Sequence, residues 1–569
     1  MTRAGGRWLR GLVLAVVMLG LVLPIAAGLW ETLAAAFGHL PAIGETGASL
    51  DPWRRLLDLP GVVTSVKLTL WTGLASTAIA LLLALGAAGW AHRRFGPRAL
   101  GRVLTPFLAV PHAALAIGLA FVIMPSGWIA RAISPWATGW DLPPDLAIVN
   151  DPAGLALILG LVIKELPFFL LVTLAALAQI PVGSQMRAGR AIGYPPAQVW
   201  AFVIVPQVYA QIRLPVYVVL SFALSVVDMA IILGPSNPPV LAVAMTRWFL
   251  APDSGLILPA SAAAMTQALI VVGAIALWRG AEALIAVAGR AILRQGRRRH
   301  AWAGAARASA GIAATLFVLG LLSLAALTVW SIAWRWSFPD MWPETLSLHS
   351  WARPGAGWGL AVLNTAVIGF ATTALALVLA VAWLEGEDRG GLARARWAEA
   401  LVYLPLIVPQ VAFLFGLQVV FLRLGVSGGI GAVIWAQALF VFPYVMIALS
   451  DPWRALDRRL LRAAAALGAG PARRLFAVKL PILLRPLLTA AAIGFAVSVA
   501  QYLPTLFMGA GRVPTLTTEA VTLSSGSDRR VTGTYATLQS ALPFLAYAAA
   551  FFIPAWVFRH RRALSGEPG

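Results

Sequence analysis

The sequence predicts an all-α polytopic membrane protein of about 12 transmembrane helices, arranged as two parallel six-helix repeats. Three observations carry that prediction. Hydrophobic residues make up 60% of the 569 and charged residues only 11%, with a mean hydropathy of +0.83, a composition that would leave a water-soluble chain of this length with an untenably apolar surface. Apolar runs of about 20 residues, the length a helix needs to cross a roughly 30 Å hydrocarbon core, recur along the chain. One short pattern in a polar loop occurs twice, 275 residues apart, so the two halves read as copies of one module.

In the first half the apolar runs fall at 11–30, 68–91, 103–124, 154–179, 214–233 and 258–278; in the second they fall at 308–334, 359–384, 400–422, 430–450, 486–508 and 536–558. They are continuous, rich in Leu and Ala, and lack apolar/polar alternation, which excludes a β-barrel. The first run, preceded by Arg3, Arg7 and Arg10 and followed by Ala26-Ala27-Gly28, has some features of a signal peptide; with the later spans behind it, it is read as an uncleaved first helix. A basic stretch at 289–307, with Arg290, Arg294, Arg297, Arg298, Arg299 and His300, reads as a solvated cytoplasmic linker between a first module at 1–288 and a second at 308–569.

Placing the N-terminus inside puts most of the 43 Lys and Arg on the cytoplasmic side, so both termini are expected in the cytoplasm. The clusters are Arg93, Arg94, Arg98 and Arg102; Arg290 to Arg307; Arg389, Arg394 and Arg396; and Arg559, Arg561 and Arg562. They account for most of the net charge of +21 without nucleic acid, for which no segment is long or polar enough to make a binding domain. The Trp residues at 128, 136, 140, 330, 334, 336 and 342 are expected to be mostly interfacial anchors.

Cysteine is absent, which removes disulfides and thiolate metal sites, and the six His show no metal-ligand spacing. The lysines are Lys67, Lys164 and Lys479, and none follows a glycine, so no phosphate loop of the G-x-x-x-x-G-K-[ST] type is present. No cofactor, metal or catalytic residue is expected in this chain, and any energy from ATP must come from a partner.

The repeated loop reads Arg187-Ala188-Gly189-x-x-x-Gly193, nine residues, then Val203-x-Val205-Pro206; its second copy reads Arg462-Ala463-Ala464-x-x-x-Gly468, nine residues, then Val478-x-Leu480-Pro481. A short helix should end at Gly193 or Gly468 in a left-handed turn. Pro196 or Pro471 should open a second helix, where a missing N–H is harmless, and Pro206 or Pro481 should break it before the next span. The expected product is a small helical hairpin, with Ala188, Ile192 and Tyr194, or Ala464, Leu467 and Ala469, available to a groove on another protein. Further echoes support the duplication: Pro111 and Gly118 match Pro409 and Gly416, Ser76-Thr77-Ala78 matches Thr372-Thr373-Ala374, Pro167-Phe168 matches Pro443-Tyr444, and Phe222-Ala-Leu-Ser-Val226 matches Phe495-Ala-Val-Ser-Val499. An even number of spans per half gives both copies one topology, with a substrate path between them.

This pattern resembles the E-A-A-x-x-x-G, nine residues, I-x-L-P loop of binding-protein-dependent ABC transporter permeases, over nearly the whole chain. The resemblance implies a type I ABC importer permease fold and a bacterial inner-membrane protein with two modules fused. It also implies two copies of an ABC ATPase subunit docked on the loops, with ATP and Mg on that partner, and a solute-binding protein outside. Alternating access would follow, with the ATPase dimer closing and opening the bundle. Both copies carry Arg where the family usually has Glu, and Gly189 stands for Ala. Ser498 to Gly511, followed by Thr515-Leu-Thr-Thr-Glu519, looks most like the thiamine-transport branch, with the ferric-iron type as a second option.

Ionisable residues within spans are functional candidates by default. Asp228, in the expected fifth span and matched by Gln501 in the second half, is a substrate-pathway candidate; Lys164-Glu165 in the fourth can equally pair or reach the interface. A rival class is an ion-gradient-driven 12-helix secondary transporter, favoured by the basic loop Gly89-Trp-Ala-His-Arg-Arg-Phe-Gly-Pro-Arg98. His92 stands there where an Asp is expected, and that reading leaves the repeated loop without a purpose. A polytopic membrane enzyme would need a carboxylate cluster or a Ser/His constellation at the membrane face, and none is visible.

Overall fold

In lipid each backbone N–H and C=O must find its partner within the protein, and uninterrupted Leu/Ala-rich segments do so as helices. The computed structural model describes residues 3–92, 94, 97–296, 303–352, 357–426, 428–526 and 528–559. Among these, ten helices are long and apolar enough to cross a membrane: Gly5–Ala36, Val62–Ala91, His112–Ile133, Leu155–Leu177, Pro196–Ser225, Ser254–Arg294, Gly304–Ile332, Trp358–Gly390, Ile430–Arg454 and Arg529–Val557. Two bent pairs, Arg396–Leu406 with Gln410–Arg423 and Pro471–Ile482 with Leu484–Ala500, bring the total to 12. We number them spans 1 to 12 in chain order, the bent pairs being spans 9 and 11.

The first span of each half packs on the other half. Span 1 lies along spans 8 and 9 and touches span 6, while span 7 lies along spans 2 and 3 and touches span 12. Backbones meet at the crossings: a Cβ on Gly416 would stand 2.0 Å from the Gly28 carbonyl oxygen, and one on Gly118 would stand 2.2 Å from that of Ser323. These are the matched positions of the two halves, so one small-residue crossing is used twice. Thr32 reinforces one of them by accepting the Gly416 N–H at 3.2 Å.

Four expected spans are broken. The run at 103–124 divides into Pro97–Leu108 and a helix from His112, and the run at 400–422 bends by 95° before Gln410. The run at 214–233 ends at Ser225 and resumes as a short helix, Asp228–Leu233; the run at 486–508 ends at Ala500 and resumes at Leu503–Gly509. Asp228 therefore lies beyond the fifth span, not within it. The freed carbonyls are met by side chains: Gln267 of span 6 donates to Leu224 O at 3.0 Å, and Thr517, on the short helix Leu516–Ser524, donates to Val499 O while accepting from Gln539 of span 12 at 2.7 Å. Irregular backbone at membrane depth is tolerated where protein or a cavity surrounds it. The segments that follow are pinned alike, Thr69 Oγ1 accepting the Leu241 N–H and Thr365 Oγ1 the Leu516 N–H, both at 2.9 Å.

The stretch read as a linker is helical at both ends, since one helix runs to Arg294 and the next begins at Ala303. Arg297, Arg298, Arg299 and His300 lie outside the described residues, as do Arg93, Arg561 and Arg562. Two of the expected Trp anchors have another role. Trp330 is buried, and with Trp336 it flanks the Arg131 guanidinium, which also donates to Ser337 O at 2.6 Å and Asp340 O at 2.9 Å. This cluster ties a hairpin of Ala333–Arg335 and Thr345–Leu346 to the end of span 3.

Candidate functional site

Both copies of the repeated loop fold into the same cap. The helix Val182–Ala191 is left through Gly193 at φ 85°, with the Tyr194 N–H donating to Gly189 O at 3.0 Å and the Gly193 N–H to Arg190 O at 2.9 Å. The helix Arg458–Ala466 is left through Gly468 at φ 81°, with Ala469 bonded to Ala464 O and Gly468 to Ala465 O, each at 3.0 Å. These are the paired 6→1 and 5→2 bonds of a Schellman turn. Pro196 and Pro471 then open Pro196–Val199 and Pro471–Arg474. Arg187, Ala188, Arg462 and Ala463 are exposed, and the matched Ile192 and Leu467 stand out at 62% and 88% exposure, an apolar side chain uncovered on each loop. Tyr194, Ala464 and Ala469 are half-buried.

Pro206 does not break its helix as expected. A π turn at Trp200–Ile204 precedes it, with the Val205 N–H reaching back to Trp200 O; this slip in register accommodates the missing proline donor, and the helix continues to Ser225. The second copy has the same π turn at Leu475–Lys479, but there the helix ends at Ile482, just after Pro481, and the chain bends by 76°. The Gly at 189 also has a local cause: a Cβ there would lie 2.4 Å from Val199 Cγ2.

The loops are anchored differently. Trp200 holds the first: its Nε1 donates to Leu85 O at 3.2 Å, and its ring stacks on His92 at 5.2 Å between centroids. Lys479 holds the second, with Nζ 2.5 Å from Glu385 and 2.6 Å from Asp388. Around it, Arg389 bonds Glu385 at 2.6 Å and Arg454 bridges Glu387 at 3.0 Å and Glu399 at 2.5 Å, with Arg394 on Glu399 at 2.6 Å. Trp453 Nε1 donates to Asp388 at 3.0 Å. This network was not singled out from the sequence, although span 8 closes on Glu385-Gly-Glu-Asp-Arg389 and Lys479 is a rare lysine. Arg389 and Arg394, counted above as orientation signals, are in fact paired with carboxylates.

A cavity of about 160 Å³ opens between the halves. His112, Ser221, Phe222, Ser225 and Asp228 line it from the first half, and Gln410, Phe440, Tyr444, Gln501 and Tyr502 from the second. Asp228 and Gln501 thus share one chamber, each at the break that follows its span. The Ser221 hydroxyl bonds Ile407 O, at the bend of span 9, and joins the two halves beside the chamber. Lys164 and Glu165 do not pair with each other. Lys164 Nζ donates to Leu108 O at 3.1 Å and Val110 O at 2.5 Å, satisfying carbonyls freed at the break in the third run, while Glu165 sits 3.5 Å from His112 Nε2. Sequence reasoning missed His112; its signal was its place directly after Pro111, at a matched break.

Ten membrane-length helices with two bent pairs, two capped loops of one shape and a chamber that gathers a carboxylate, an imidazole and amide side chains fit a membrane permease. Residues 389–560 match the family described as binding-protein-dependent transport system inner membrane component. The chain is 31% identical over 420 residues to the inner membrane ABC transporter permease protein YnjC of Escherichia coli, covering 73% of this chain and 75% of that one. It is 27% identical over 234 residues to PhnV of Salmonella typhimurium and to PhnV of Salmonella typhi, across 40% of this chain and 86% and 87% of theirs; both are assigned by name to a 2-aminoethylphosphonate transport system. The chain belongs to the ABC transporter permeases of this family. It is a multi-pass membrane subunit without catalytic chemistry of its own, in a family that works with an ATPase and a binding protein.

Proposed function

We propose that the chain is a fused importer permease, with modules 1–288 and 308–569 joined through 289–307, and that its two loops each dock one of two ATPase subunits. The carrying observation is the pair of Schellman caps at Gly193 and Gly468, with one uncovered apolar residue each; an even number of spans between them would put both on one face. Docking makes that face cytoplasmic, with both termini on the same side of a bacterial inner membrane. Arg187 and Arg462, in place of the usual Glu, suit an ATPase whose rim is acidic. The chamber containing Asp228 and Gln501 is the solute path, filled from an external binding protein. A chamber of this size, about 160 Å³ and partly open, suits a small solute. Ferric iron, which prefers several oxygen anions, is less well served by the single Asp228 carboxylate.

The test is purification of the tagged chain in detergent with its ATPase. Two ATPase subunits per chain are expected, with binding at least tenfold weaker when Arg187 and Arg462 are both changed to Glu. Recovery of the chain alone, with uptake in liposomes that ignores ATP and collapses with the proton gradient, would replace this reading with a secondary transporter.

A further inference from the structure

The chamber is charged on one side only. Its ionisable carboxylate, Asp228, and its imidazole, His112, both come from the first half, while the second half offers Gln410, Gln501, Tyr444 and Tyr502. Asp228 is 8% exposed, and among the described residues no side chain makes an ion pair with it. Lys164 donates to the carbonyls of Leu108 and Val110 and His112 lies 3.5 Å from Glu165, and both act on Asp228 only from beyond ion-pair distance. A buried carboxylate whose hydrogen bonds come from backbone N–H groups, with no cation at contact distance, favours a cationic ligand.

We propose that the chamber recognises a small organic cation, an ammonium or a charged ring, which pairs with Asp228 while the faces of Phe222, Phe440, Tyr444 and Tyr502 surround its charge. The proposal rests on the reading of the chamber as the solute path. Aromatic faces attract cations, and Phe222 already packs against His112 at 4.6 Å between centroids, closing the wall beside the carboxylate. A simple anion finds no Lys or Arg in this lining. Gln501 is the sequence-matched position in the second half and lines the same chamber, so the negative charge has a defined second place where it can be rebuilt.

The experiment uses the full chain with its ATPase in lipid nanodiscs, and two probes of the same shape: choline, and its uncharged isostere 3,3-dimethylbutan-1-ol. Binding is read from tyrosine and tryptophan fluorescence and from the unfolding midpoint. Choline should bind at millimolar concentration and the alcohol at least tenfold more weakly. Asp228→Asn should weaken choline at least tenfold, and adding Gln501→Glu to that variant should restore most of it. Equal binding of the two probes, no binding of choline to the unaltered chain, or indifference to Asp228→Asn would overturn the proposal. The comparison of probes needs no variant, so it decides even if Asp228→Asn fails to assemble. Failure of the unaltered chain to retain its ATPase counts against the permease reading instead, which separates the two.

Discussion

The two loops have one backbone and two foundations. Each ends its helix on a left-handed glycine with the same two hydrogen bonds, starts the next helix at a proline and slips through a π turn. Beneath that shared frame, the first rests on a buried indole stacked on His92, and the second on an ammonium between two carboxylates. The difference teaches that loop shape is set by local backbone chemistry, whereas attachment to the bundle is a tertiary matter that each loop solves separately. An apolar anchor loses energy in proportion to what is removed; an ionic one loses more for a single change, because one ammonium serves two carboxylates at once.

The largest effect should come from the ionic anchor. Lys479→Met takes the ammonium from Glu385 and Asp388; Glu385 keeps Arg389 and Asp388 is partly exposed, so the loss should fall toward the low end of about 3–5 kcal/mol, the cost of breaking a buried pair. Thermal unfolding of the purified chain should show it, with partial recovery when Asp388→Asn removes the carboxylate that keeps the weaker cation, Arg458 at 3.8 Å. The matching test on the first loop, Trp200→Phe, keeps the stack and loses the hydrogen bond to Leu85, for about 1 kcal/mol. Equal losses at the two anchors would contradict the contrast.

The caps, by comparison, should respond alike. Gly193→Val and Gly468→Val each force a β-branched residue into positive φ, which costs about 2–3 kcal/mol of local strain, spent in the loop and not in the bundle. Membrane insertion should be unchanged while ATPase association falls, measured by co-purification. A loss at only one loop would mean that the frames are not equivalent in use.

What the sequence disclosed follows the same division between local and tertiary causes. Spans were legible because apolar length is a local signal, and so were the caps, because Gly193, Gly468, Pro196 and Pro471 carry their geometry in their own backbones. The breaks after spans 5 and 11 were hidden: hydropathy runs on through Val226-Val227, and the carbonyl of Leu224 is satisfied by Gln267, far along the chain. The exchange of first spans was hidden for the same reason, since Gly28 and Gly416 meet only in three dimensions. Asp228 and Gln501 were paired by the repeat before the chamber was visible, but His112 and the two tyrosines beside them depended on packing.

The smallest effect offers the finest test of how independently the two loops have settled. At the third position of the motif the first loop has Gly189 and the second Ala464, and the neighbour explains the choice: Val199 lies where a Cβ on residue 189 would go. Val199 is buried and β-branched, so it yields poorly, and Gly189→Ala should cost about 1 kcal/mol through overpacking. Ala464→Gly in the second loop should cost only about 0.5–1 kcal/mol, through added backbone freedom. The discriminating variant is Val199→Ala. It should lower stability by itself but erase the penalty of Gly189→Ala, a coupling that a double-mutant cycle on the unfolding midpoint can resolve. If the two substitutions add without coupling, the glycine in the first loop is not explained by its neighbour, and the one departure in the motif that has a local physical cause loses it.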